Sequence, residues 1–134
     1  MAIKAYSYAK DGNKALSKNF HVWEYKCKDG SDPIFIDDEL VTLLQKIRDH
    51  FGKAVNINSA FRTASHNAKQ KKSSKYSQHL YGKAADIWIE GVSVDTLAAY
   101  AETLLAGKGG IGRYYTDKFV HVDVREVKSR WVIR

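Results

Sequence analysis

Apolar positions along this chain follow two different spacings, and each spacing predicts its own kind of element. Leu40, Leu43, Leu44, Ile47 and Phe51 recur at steps of three and four residues, which lines them up on one side of a helix. Asp37 or Asp38 can accept from the unpaired N–H groups at its start, and Gly52 can take the left-handed turn that ends it. A second helix is expected from about Ser93 to Leu105. It carries Leu97, Ala101, Leu104 and Leu105 on one side, Asp95 in the first turn and Gly107 beyond the end. A short helix is expected from about Thr63 to Gln70.

Elsewhere the period is two. Ala54–Ala60 sets Val55, Ile57 and Ser59 against Asn56 and Asn58, and Ala84–Ile89 sets Ala85, Ile87 and Ile89 against Ala84, Asp86 and Trp88. Both read as strands. Three more strands are expected late in the chain, at Ile111–Tyr115, Phe119–Val124 and Trp131–Ile133, after the glycine-rich GKGGIG. Residues 28–33 (KDGSDP) read as a loop. Helices come early and midway while strands cluster late with short turns, so an α+β domain with a mainly antiparallel sheet and two or three helices is expected.

The chain has 134 residues, enough for one core and too few for two. Residues 1–134 are therefore read as one domain, with 1–19 as a lead-in and the core from about residue 20. Hydrophobic residues make up 44 % and charged residues 28 %, which is a globular composition. No apolar run is long enough to span a bilayer, so membrane insertion is not expected. The opening segment lacks the apolar centre of a secretory signal. Synthesis in the cytoplasm is expected, with later release through a phage-type pore or as cargo of a phage-tail particle. Cys27, the single cysteine, can form no internal disulfide and reads as a small buried residue.

The net charge is +7 and the pI near 9.4, a field that attracts polyanions. Lys69–Lys75 (KQKKSSK) is the one dense basic run and reads as a solvated loop. With no aromatic-interleaved groove or known motif beside it, nucleic-acid binding is not expected. A monomer is.

The chemistry concentrates in two segments. Residues 77–86 form a loop that delivers His79, turns at Gly82 and brings Asp86 onto a strand, with small Ala84 and Ala85 beside the carboxylate. On the strand Phe119–Val124, alternation turns Val120, Val122 and Val124 to the core and His121 with Asp123 to the opposite face. Two imidazoles and one carboxylate, from His79, His121 and Asp86, are ordinary zinc ligands, and three protein ligands leave a position for water.

The pattern Ser77-x-His79-x-x-Gly82-x-Ala84-x-Asp86, followed by His121-x-Asp123, resembles the zinc D-Ala-D-Ala carboxypeptidases. That family includes vancomycin-resistance dipeptidases and phage L-alanyl-D-glutamate endopeptidases, and it is related to the hedgehog signalling domain. The likeness runs from about Phe20 to Arg125 and includes Asn58-Ser59-Ala60-Phe61-Arg62 and Gly110-Ile111-Gly112. It implies a hedgehog/DD-peptidase-like fold, Zn2+ on His79, Asp86 and His121, and hydrolysis of D-amino-acid-containing bonds in peptidoglycan stem peptides. It implies that Arg62 binds a substrate carboxylate; Ser77 either bonds substrate or caps a turn. Relatives carry an acid or histidine three residues before the last ligand, where this chain has Lys118. Asp123 is the expected replacement base, with an orienting role towards a ligand histidine as its alternative and Asp117 as second candidate. Lys118 also leaves open a zinc-containing wall-binding module without catalysis.

Overall fold

A computed structural model describes residues 3–70 and 77–134. In chain order its elements are β1 (Ile3–Ser7), α1 (Tyr8–Asp11), a 3-10 turn (Val22–Tyr25), β2 (Pro33–Asp37), α2 (Asp38–Phe51), β3 (Asn56–Ser59) and α3 (Ala64–Ala68). A second 3-10 turn (Gln78–Tyr81), β4 (Ala84–Trp88), α4 (Val94–Leu105), β5 (Gly110–Tyr114), β6 (Phe119–Asp123) and β7 (Ser129–Ile133) follow.

The predicted stripe of α2 is buried at Leu40, Leu43, Leu44 and Ile47. Of the two candidate caps it is Asp37 that accepts from the Glu39 N–H, at 2.8 Å. Gly52 ends the helix at φ +65°, a left-handed conformation that costs glycine little. α4 starts on Ser93, whose hydroxyl accepts from the Thr96 N–H at 3.0 Å. Its C-cap is Ala106, at φ +51°. Gly107 follows one residue later.

Five strands form one sheet in the order β3-β4-β6-β5-β7. The first three pairings are antiparallel and only β5 with β7 is parallel, so the expected α+β architecture stands. One face carries Ala85, Ile87, Ile111, Val120 and Val122 into the core. α4 packs on β5 and β6, and α2 packs on α4 and β2. The other face is left for polar residues.

Two features depart from the sequence pattern. β1 and β2 pair as an antiparallel ribbon, from Ile3 with Asp37 to Ser7 with Pro33. Ile34 and Ile36 of that ribbon are buried, a run too short for its period to stand out beside the loop before it. In β3, Ile57 lies opposite Ile87 but Ser59 lies opposite Asp86, so Asn58 is an extra residue in the register. Strict alternation expects Ser59 on the face of Ile57. The bulge moves Ser59 to the face of Asp86 instead, because one inserted residue reverses every side chain beyond it.

Candidate active site

The turn before β4 is built around its ends. Ser77 caps it, its hydroxyl accepting from the His79 N–H at 3.2 Å. Gly82 closes it at φ +70°, and a Cβ there would stand 2.1 Å from the Phe35 carbonyl oxygen. No other residue meets both demands. The turn directs His79 inward, where it is 2 % exposed.

Strand register supplies the other two groups. Asp86 of β4 lies directly opposite His121 of β6, so both side chains leave the sheet on one face. The three bring one ligand atom each to within 4.8 Å of one another. His79 Nε2 is 3.2 Å from Asp86 Oδ1, and His121 Nδ1 is 3.1 Å from the same oxygen.

The far side of each ring decides what these near contacts mean. His79 Nδ1 stands 2.6 Å from the Ala60 carbonyl oxygen, which can only accept, so Nδ1 carries the proton. In the neutral ring Nε2 then aims a lone pair at a carboxylate oxygen. His121 Nε2 meets Asp123 Oδ2 at 2.7 Å, which by the same reasoning leaves Nδ1 facing Asp86. Two lone pairs and a carboxylate oxygen converging on one point are a place for a cation, and the donor set suits zinc.

Electrostatics follow the contacts. Burial alone would raise the Asp86 carboxyl, but His79 and His121 outweigh it and hold the group well below the usual carboxylate range. Burial pushes the His79 imidazole down, only partly offset by Asp86. For His121 burial also pulls downward, yet the carboxylates of Asp123 and Asp86 on either side raise it. Asp123 would be raised by burial, and His121 and Arg125 together hold it low.

Arg62 sits behind Asp86. Its Nη2 donates to Asp86 Oδ2 at 3.1 Å, Nε to Ser59 Oγ at 3.0 Å and Nη1 to Asn67 Oδ1 at 3.2 Å. The Ser59 contact depends on the β3 bulge. With Oδ2 taken by the guanidinium, Oδ1 is the oxygen turned towards the two histidines.

Asp123 lies under His121 with no exposed surface. Its carboxylate also accepts from Arg125 Nε at 2.8 Å and Arg125 Nη2 at 2.7 Å. It does not line the cleft above the histidines. Asp117 does, together with Arg62, Ser77 and Tyr114. That cleft encloses about 780 Å³. Lys118 is exposed in the β5–β6 turn at φ +59° and is not part of the lining. Of the basic run, Lys69 and Gln70 reach the cleft wall, whereas 71–75 lie outside the described residues.

Three contributors were not legible as site residues. Trp131, expected only as a strand residue, has its ring 4.9 Å from that of His121 and donates from Nε1 to the Tyr114 hydroxyl at 3.1 Å. Gly110 and Gly112 make room for the site. A Cβ on Gly110 would stand 2.1 Å from Asp123 Oδ2, and one on Gly112 would stand 2.4 Å from the Trp131 ring. The recurring Gly-x-Gly was the available signal, since glycine in a strand often marks a close approach.

Residues 15–123 match the family described as Peptidase M15. The chain belongs to this peptidase family. The M15 match spans the turn at Gly82, His79, Asp86, His121 and Asp123, and ends before Arg125 and Trp131. This M15 chain is also similar to a Haemophilus influenzae protein named "Probable peptidoglycan L,D-endopeptidase MepK", with 37 % identity over 79 residues. The aligned stretch is 56 % of this chain and 41 % of that protein, so it spans less than half of the relative's length.

Proposed function

We propose that this M15 peptidase is zinc-dependent and hydrolyses D-amino-acid-containing bonds in the stem peptides of bacterial peptidoglycan, as a D-Ala-D-Ala carboxypeptidase or an L-Ala-D-Glu endopeptidase. The observation that carries the reading is the convergence of His79 Nε2, Asp86 Oδ1 and His121 Nδ1 at the base of an open cleft, each ring locked by an acceptor on its far nitrogen. The name of the Haemophilus relative supports the substrate class. The net charge of +7 suits a polyanionic wall. A lysin of phage or prophage origin would meet that wall from the inside after release.

Those three residues would hold zinc, which would supply Lewis acidity towards water and the scissile carbonyl at neutral pH. The chain's own residues do the rest. Arg62 neutralises the outer oxygen of Asp86 and fixes its rotation, and the two N–H groups left on its guanidinium can meet a substrate carboxylate. Ser77 holds the His79 turn and presents its hydroxyl at the cleft wall. Asp123 orients His121. Asp117, on the cleft wall, takes the proton of the attacking water and returns it to the leaving amine. This reading prefers Asp117 to Asp123, the other base considered, because the Asp123 carboxylate is buried between His121 and Arg125.

The test is digestion of purified peptidoglycan by zinc-loaded protein, followed by mass analysis of the fragments. New amino termini or released D-Ala are expected, lost on chelation and restored by zinc. Lys118 at the position of the usual acid favours a second reading, a zinc-containing wall-binding module. Zinc-loaded protein that sediments with walls but releases nothing would establish that reading over hydrolysis.

A further inference from the structure

Arg125 is the more open of the two guanidiniums at this site. Its side chain is 29 % exposed against 11 % for Arg62. Arg62 spends a donor from each of its three nitrogens on Ser59, Asn67 and Asp86. Arg125 spends only Nε and Nη2, both on Asp123, and its Nη1 has no hydrogen-bond partner among the described residues.

The group is also held firmly at the cleft. Asp123 Oδ2 accepts from His121 Nε2 and from Arg125 Nη2, at 2.7 Å each, so the guanidinium is linked to the His121 ring through one shared carboxylate oxygen. Its carbon lies 5.6 Å from the centre of the Trp131 ring, and Trp131 is itself seated on Gly112 and tied to Tyr114. Arg125 and Trp131 both line the cleft. A fork of donors fixed on one edge, resting on an aromatic ring with its free edge in a cleft, is a ready carboxylate site.

We propose that Arg125, backed by Trp131, binds a free carboxylate of the substrate next to the scissile bond. Arg62 meanwhile holds Asp86 through Nη2. The ligand class is an acidic peptide, and the inference rests on the peptidase reading above while naming what that site selects.

The experiment compares stem-type peptides in which each free carboxylate is replaced in turn by its amide. Zinc-loaded wild type, Arg125→Ala, Arg125→Gln and Arg125→Lys are assayed, with zinc content measured for each. One acid peptide should exceed its amide in kcat/KM. Arg125→Ala should cut that peptide about 10- to 100-fold more than its amide, with the difference mostly in KM. Arg125→Lys should recover part of the preference and Arg125→Gln none. If Arg125 acts only by bracing Asp123 and His121, the variants slow acid and amide peptides alike or lose zinc, and the proposal fails. Peptide affinity read from tryptophan fluorescence repeats the comparison without turnover. Preference for the acid peptide in binding, lost in Arg125→Ala, upholds the carboxylate site even if no bond is cut, and then the peptidase reading alone falls.

Discussion

His121 and Asp123 stand two residues apart on β6 and are joined by a 2.7 Å hydrogen bond from Nε2 to Oδ2. Residues i and i+2 of a strand share a face, so the pair is preset by the backbone. Its effect is to turn Nδ1 of His121, and not Nε2, towards Asp86.

Asp123→Asn separates the two roles considered for this carboxylate. If it orients His121, zinc affinity should fall by about 10- to 100-fold and activity should return at high zinc. Competition against a chromophoric chelator measures the first and turnover at saturating metal the second. Unchanged affinity with lost turnover would make Asp123 the base after all.

Asp117→Asn should behave in the opposite way. Zinc binding should stay near wild type while kcat drops by roughly 100-fold or more, the usual contribution of a positioned acid or base. Loss of zinc from this variant would remove Asp117 from the proposed chemistry.

The glycines of β5 should be intolerant of the smallest side chain. Gly110→Ala forces a methyl into the Asp123 carboxylate and Gly112→Ala one into the Trp131 ring, and overpacking of this kind costs about 1–3 kcal/mol. Urea unfolding gives the size of the loss. Gly110→Ala should also weaken zinc binding, whereas Gly112→Ala should mainly shift tryptophan fluorescence.

Proton and metal compete for the histidines, and the two rings differ in sign. His121 is raised in the folded protein. Its contribution to the stability of the metal-free protein is therefore complete below the unfolded value of about 6.5 and is lost as pH rises through the folded value. His79 is lowered, so its contribution is present above about 6.5 and is lost as pH falls from there through its folded value. Histidine NMR of the metal-free protein should give a midpoint above about 6.5 for His121 and below it for His79. Zinc affinity should start to weaken on acidification already near the higher midpoint, because zinc must then displace the His121 proton. Coincident midpoints would contradict the distinct surroundings of the two rings.

Much of this protein follows from local pattern. The stripe Leu40 to Phe51, the alternation of Val120 and Val122 against His121 and Asp123, and the Ser77 to Asp86 segment each depend on residues within a few positions of one another, and such periodicities survive folding unchanged. They were enough to nominate His79, Asp86 and His121. Long-range geometry settled what these residues face. The β3 bulge that brings Ser59 to Arg62, the Ala60 carbonyl that sets the His79 tautomer, and the glycine gaps that admit Asp123 and Trp131 all join segments distant in sequence. No local period encodes them, because each depends on which strands become neighbours and in what register. For the same reason, Arg62 could be recognised beside its motif, but only packing against Asp86 turned its guanidinium inward and left the open edge of the cleft to Arg125.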